Sequence, residues 1–392
     1  MYLFTRGTHS YIREKLIQDN LFRISYNEIM RTPTSNSAVL STRGRKSEKK
    51  GNQSTKGRRT IRLVDSPKQN TGYQKHLNWK APVGALTSLE LCAGGGGAAL
   101  GLEQAGFSPV ALVEINQHAC ATLRSNRPYW NVIEADIKRF DATYWRGVDL
   151  LSGGLPCPPF SIAGKQLGAN DDRDMFPSML RIVKEVNPRA VLIENVRGIY
   201  TDRFSSFRAG IDKAFDVMGF DTYWTAFNAS DFGVPQKRYR VFLVALRRGV
   251  TKPLCWPLPT DELPITVGAA LGDLMAERGW RGAADWMKGA PVPAPTIVGG
   301  SHKHGGPDLG PTRARKEWAA LGVDGLGLAD ESPAPNFTGM PRLTVKMVAR
   351  LQSFPDDWKF AGPKTHAYRQ VGNALPVRLA YFVAKAVHEC LV

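Results

Sequence analysis

A chain of 392 residues with 43% apolar content can bury a core for two compact domains and still carry an extension. Its formal charge of +17 and pI near 9.8 point to a polyanionic partner. No apolar stretch reaches the length of a membrane span, and the start MYLFTRGTHSYIREK lacks the apolar core of a secretory signal. Five cysteines, at positions 92, 120, 157, 255 and 390, have neither metal-ligand spacing nor the pattern of a small disulfide framework, so the chain reads as cytoplasmic, with free thiols and no metal.

Residues 1–80 hold 17 Lys and Arg against 5 Asp and Glu, so +12 of the +17 lies there. Within them Ile12, Leu16, Ile17 and Leu21 repeat at helical spacing and predict an amphipathic helix over Ser10 to Leu21. From Arg31 to about Lys80 the composition is polar, basic and poor in apolar residues. That predicts a largely disordered extension, either a basic arm on nucleic acid or a solvated tail.

The body begins near Pro82. Leu86 to Cys92 reads as a strand, Ala93 to Gly97 as a glycine loop and Ala98 to Ala105 as a helix stopped by Gly106. A strand at Val110 to Glu114, a helix at Gln117 to Asn126 and a strand at Val132 to Ala135 follow, and strand and helix keep alternating through Leu150, Ile193 and Val244. This is the rhythm of an α/β, doubly wound, mostly parallel sheet. Residues 251–341 are dense in Pro and Gly and predict a loop-rich second region. Regular order returns over Arg342 to Trp358 and Tyr368 to Val387, the latter read as a final helix packing back on the sheet. The chain therefore divides into a catalytic part (81–250), a second region with its junction (251–360) and a returning C-terminal segment (361–392).

Four motifs carry chemistry. LELCAGGGGAALG (Leu89 to Gly101) sets glycines between a strand and a helix, where the backbone can turn tightly and approach a ligand. Glu114 follows Gly94 by 20 residues, at the end of the next strand, where a carboxylate can accept from ribose hydroxyls. A nicotinamide enzyme fits this pair almost as well. GGLPCPPFSIAGK (Gly153 to Lys165) holds Cys157 between prolines just after an apolar run. Proline suits neither a helix interior nor a central strand, so this is a stiff loop at the carboxyl end of a strand, where open α/β sheets bind ligands. Finally, RAVLIENV (Arg189 to Val196) ends in Glu194 and Asn195, and QKRYR (Gln236 to Arg240) runs into another apolar strand.

In this order, the Pro-Cys loop, Glu-Asn-Val and Gln-x-Arg-x-Arg are similar to the signature of the cytosine-5 DNA methyltransferases, over about Leu89 to Pro376 with a break in the variable middle. The resemblance implies a Rossmann-like catalytic domain dependent on S-adenosylmethionine, with a smaller loop-rich target-recognition domain over 251–360. It implies a cofactor pocket made by Cys92, Ala93, Gly94, Gly96, Gly97, Glu114, Ile115, Asp136, Ile137, Pro156 and Asn373. The implied catalytic set is Cys157 as thiolate, Glu194 at ring nitrogen 3 of cytosine, Arg240 at the base carbonyl, and Arg238 binding phosphate or ordering its loop. Double-stranded DNA is the implied partner, with Ser161, Arg238, His302, Lys303, His304, Arg313 and Arg315 as its contacts. The compact size resembles a monomeric bacterial enzyme of a restriction–modification system, active on nucleoid DNA beside a cognate endonuclease.

This chain departs from the family pattern at four positions. Cys92 stands where an aromatic is usual, Ile115 where some members have Trp, and Pro158 and Pro159 follow the cysteine where Gln is common. A tRNA cytosine-5 methyltransferase on the same scaffold usually carries Cys-Phe-Thr, which is absent here, and a second catalytic cysteine after Thr is absent too. A catalytically dead DNA-binding regulator should have lost Cys157 or Glu194, and an oxidoreductase leaves the Pro-Cys loop unexplained.

Overall fold

The computed structural model describes residues 84–155, 175–249, 251–299 and 307–392. The helix expected over Ser10 to Leu21 and the basic extension 1–80, the loop carrying Pro156, Cys157 and Ser161, and the stretch with His302, Lys303 and His304 lie outside the described residues.

Seven strands form one sheet. β1 (Leu86–Leu91), α1 (Gly97–Gln104), β2 (Phe107–Glu114), α2 (Gln117–Asn126) and β3 (Val132–Glu134) make the first βαβαβ half. β4 (Leu150–Gly154), α3 (Phe176–Val186), β5 (Ala190–Val196), α4 (Ser205–Val217), β6 (Phe220–Asn228) and β7 (Tyr239–Arg247) make the second. The strand order is β3-β2-β1-β4-β5-β7-β6. The first five strands are parallel, and β7 inserts antiparallel between β5 and β6. The order reverses between β1 and β4, so their carboxyl ends open a crevice of the kind that binds ligands in doubly wound sheets. The glycine turn leaves β1 there, and Leu155 leads out of β4 toward Cys157.

The expected helix of Gln117 to Asn126 forms over those residues, because Asn116 caps it by accepting from the backbone N–H groups of His118 and Ala119. β1 ends one residue earlier than its apolar run. Cys92 takes a left-handed φ of 56° and breaks the extended backbone.

Residues 251–360 are more helical than their Pro/Gly density predicts. They carry α5 (Val267–Ala276), α6 (Ala283–Gly289), α7 (Thr312–Ala319) and α8 (Val345–Leu351). These are short helices fixed by tertiary burial of Trp286 and Trp318 and by Thr caps at α5 and α8. Their apolar residues share one cluster with the sheet's helices, Leu100 and Leu123 lying in the same core as Leu271, Trp280, Trp318 and Leu343. All described residues fall in one compact unit, Asn70–Val392. Contacts therefore do not set 251–360 apart as a second domain, and its distinct role stays a matter of function.

The C-terminal element expected as one helix is two, α9 (Lys364–Asn373) and α10 (Val377–Leu391). Ala374 is extended and Pro376 lacks an N–H, so the helix cannot run through. α10 does pack back on the sheet. Its Leu379, Val383 and Val387 join Phe107, Leu150 and Val244 in a buried cluster. Among the described residues no helix is long and apolar enough to cross a membrane.

Glu90 sits inside the sheet on β1, 2% exposed. Burial, reinforced by the neighbouring Glu114 carboxylate, pushes its pKa up to about 8 against a backbone hydrogen bond from Ala99. A carboxyl whose folded pKa exceeds its unfolded value binds more protons in the native state. Its contribution to stability is full below about 4.5 and is lost as pH rises through about 8. Glu90→Gln, which keeps an acceptor for Ala99 without the ionisation, is expected to flatten this alkaline loss. Melting curves between pH 5 and 9 that keep the native slope would show that Glu90 does not set it.

Candidate active site

Two sets of side chains meet the crevice. The first gathers at the ends of β1, β2 and β3. Both oxygens of the buried Glu114 accept backbone hydrogen bonds at 2.7 Å, one from Gly94 and one from Asn116. The carboxylate thus ties the glycine turn to the start of α2, and each oxygen keeps a lone pair for a ligand hydroxyl. Asp136, half-buried, accepts from the Lys138 N–H at 2.9 Å. Ile115 is 66% exposed beside them, an apolar side chain held out of the core at the position expected to face a flat ring.

The turn is roofed by a residue that the sequence reading overlooked. Trp358 donates from its indole N–H to the Gly95 carbonyl at 3.2 Å and lies so close to Gly96 that a Cβ there would meet it at 2.8 Å. With φ of 91°, Gly96 could not accept a side chain in any case. Gly97 is equally closed, its place for a Cβ lying 2.2 Å from the Leu375 carbonyl. The missing side chains of Gly96 and Gly97 therefore serve packing, whereas Gly94 has only the Cys92 carbonyl near it. Ala93 is buried, and Ile137 turns its side chain into the core beneath the site rather than toward a ligand.

The thiols here are inert. Burial first, then the carboxylates of Glu114, Glu90 and Asp136, push the Cys92 thiol far up. Cys120 is pushed up to about 12, again mainly by burial. Neither can supply a thiolate near neutral pH.

The second set sits at the ends of β5 and β7. Arg240 lies two residues off the register partner of Glu194 on the adjacent antiparallel strand, a diagonal within reach of long side chains. Its Nε meets Glu194 Oε1 at 2.6 Å, both side chains being largely buried, with 12% and 16% exposed. The other carboxylate oxygen of Glu194 lies over Gly154, 3.3 Å from where a Cβ would be. Gly154 also pairs in register with Glu194 and is three residues before Cys157. A carboxylate and a guanidinium are thus fixed beside the exit of β4.

Arg238 stands elsewhere. It is 1% exposed, with Nη1 donating to the Ile297 carbonyl at 2.6 Å and Nη2 to those of Gly372 and Ala374 at 2.8 and 3.0 Å. Burial holds its pKa well below the usual guanidinium range. This corrects its assignment as a DNA contact, since a residue facing inward with these donors engaged cannot reach a phosphate. It orders loops, the other role expected of it. Lys237, its exposed neighbour, carries the outward charge of this motif. Gln236, fully buried, and Gln352 continue the inner network. Gln236 donates to Gln352 Oε1 at 2.9 Å and accepts from the Ile297 N–H, while Gln352 donates to the Val371 carbonyl. Gln236 was visible in the motif, but nothing in the sequence marked Gln352 as its partner.

Asn373 ends α9 with its side chain exposed. Arg313 and Arg315 lie on α7, one turned to solvent and paired with Glu317, the other half-buried with its Nε unpartnered.

A doubly wound sheet with an acidic cradle at its switch point places the chain among the Rossmann-like folds, and a buried Glu–Arg pair lies beside the cradle. The family model for C-5 cytosine-specific DNA methylases matches residues 86–389, and the chain belongs to that family. It is 48% identical over 309 residues to the type II methyltransferase M.NgoMIV of Neisseria gonorrhoeae, covering 78% of this chain and 98% of the relative. It is 49% identical over 313 residues to M.NaeI of Lentzea aerocolonigenes, covering 78% and 76%. Among solved structures, the Dnmt2 methyltransferase of S. pombe shares the fold at 19% identity, with a TM-score of 0.54 over 77% of this chain and 98% of that one.

Proposed function

We propose that this methylase transfers a methyl group from S-adenosylmethionine to carbon 5 of a cytosine within a short double-stranded DNA sequence. The reaction runs through a covalent adduct with Cys157 on a flipped-out base. The observation that carries the reading is the Glu194–Arg240 pair fixed over Gly154, three residues from Cys157.

The residues present fit the cofactor. S-adenosylmethionine carries a sulfonium cation and a ribose diol, and supplies an electrophilic methyl group. Glu114 and Asp136 at the strand ends offer negative charge and free lone pairs to both features, and Ile115 offers an apolar face to a purine. Asn373 and the backbone of Gly94 complete the proposed set of cofactor contacts.

Carbon 5 of cytosine is a poor nucleophile. Addition of the Cys157 thiolate to carbon 6 forms the S–C bond and moves an electron pair toward ring nitrogen 3 and carbon 5. Glu194 holds or donates the proton at nitrogen 3, and Arg240, already ion-paired with Glu194, would contact the base carbonyl. Once carbon 5 carries the methyl group, its proton leaves to a base, the electron pair re-forms the double bond, and the S–C bond breaks to free Cys157. The target atom is hidden in a duplex, so the base must leave the stack.

The stretch around His302, Lys303 and His304, with Arg313 and Arg315 on α7, would read and grip the DNA, and Ser161 and Lys237 would touch its backbone. A monomer in the bacterial cytoplasm, protecting DNA from a cognate endonuclease, completes the reading.

The test is to express the chain in a host lacking DNA methylation and to sequence bisulfite-treated plasmid. Protected cytosines confined to one short motif are the expected result. Unprotected plasmid from cells holding folded protein would remove DNA as the substrate, and tRNA from the same cells would be assayed next.

A further inference from the structure

Two glycines far apart in sequence touch at the end of α9. A Cβ on Gly372 would lie 2.5 Å from both the Cα and the N of Gly299, closer than real Cβ atoms come. On Gly299, a Cβ would fall 2.3 Å from Oδ1 and 2.7 Å from Cγ of Asn373, and 2.8 Å from the Arg369 carbonyl. The Asn373 carboxamide therefore rests on the bare Cα of Gly299, while the residue stays open to solvent on its other side.

This contact is enforced from below. The Arg238 guanidinium donates to Ile297 on one segment and to Gly372 and Ala374 on the other, pinning residues 297–299 against the end of α9. Gln236 accepts from the Ile297 N–H, and Gln352 donates to Val371, so both segments are held at their backbones. Close packing of this kind has few alternative arrangements, and a group placed on it is placed firmly.

We infer that Gly299 is a positioning residue for the cofactor. Its missing side chain makes the platform on which the Asn373 carboxamide is oriented. The inference rests on the reading of Asn373 as a cofactor ligand. It adds that the segment entering the proposed DNA-reading stretch forms part of the cofactor site. An alanine at 299 must displace the carboxamide, because the other neighbours are backbone and cannot yield.

The experiment is equilibrium binding of S-adenosylmethionine, by calorimetry, to wild type, Gly299→Ala, Asn373→Ala and the double variant, each checked for its melting temperature. Expected are about tenfold losses for each single variant, with the double variant no weaker than Asn373→Ala alone. Such non-additivity is the mark of two residues acting through one group. If Asn373→Ala binds like wild type, the ligand assignment of Asn373 fails and the inference falls with it. If Asn373→Ala is weakened but Gly299→Ala is not, or the two losses add, the platform alone is refuted. Should Gly299→Ala not fold, hydrogen exchange on the wild type decides. S-adenosylmethionine should slow exchange of the peptide holding 297–299, and unchanged exchange there would refute the platform.

Discussion

Cys157→Ser is expected to lower turnover by on the order of 10⁴-fold or more while leaving DNA affinity within about threefold of wild type. A free thiol ionises near pH 8.5, so a useful fraction is thiolate at neutral pH even before any help from its surroundings. A serine hydroxyl is not measurably ionised there, and the Glu194 carboxylate beside the exit of β4 is already engaged by Arg240. The neighbours of position 157 otherwise stay as they are, because Ser and Cys differ by one atom. Other thiols near the site cannot substitute, since burial keeps Cys92 and Cys120 protonated. The check is single-turnover methyl transfer to plasmid DNA, paired with binding by fluorescence anisotropy. A duplex with fluorine at carbon 5 of the target cytosine adds a direct readout. Fluorine cannot leave as a cation, so the S–C bond should persist as a complex that survives denaturation in wild type and is missing in the variant. Turnover retained by Cys157→Ser would remove the thiolate from the mechanism.

Arg238→Leu is expected to cost about 3–5 kcal/mol of stability, a fall of roughly 4–7 °C in melting temperature for a unit of this size. Three buried carbonyls, those of Ile297, Gly372 and Ala374, lose their charged donor, and leucine offers nothing in return. Lysine should not rescue it, since a point-like ammonium cannot reproduce the planar fork that reaches all three oxygens. Thermal melts decide. A variant that melts like wild type but has lost DNA affinity would return Arg238 to the phosphate-binding role, and a variant that melts early with near-native DNA affinity per folded molecule would confirm the inner one.

Much of this could be read from the chain. The alternation of apolar runs with helical periodicity fixed the doubly wound sheet, and the glycine turn marked the start of the first helix. Glu114 was identifiable by its spacing from the glycine turn, and Glu194 and Arg240 only by their order with the Pro-Cys loop, through the resemblance to the family. The helices within 251–360 were not legible, since their stability comes from burying Trp286 and Trp318 against partners distant in sequence. The break between α9 and α10 could have been read at Pro376.

Residue types and their order pointed to the family, because several motifs in one order are far less frequent by chance than any one of them. Direction was decided only in three dimensions. Two arginines one residue apart in QKRYR differ in fate. On an extended strand positions 238 and 240 share a face, and only packing at the strand's start sinks the first under α9 while the second meets Glu194. Likewise four successive glycines look alike in sequence. Which of them faces a ligand and which merely makes room for Trp358 or the Leu375 carbonyl depends on chain that arrives more than 250 residues later.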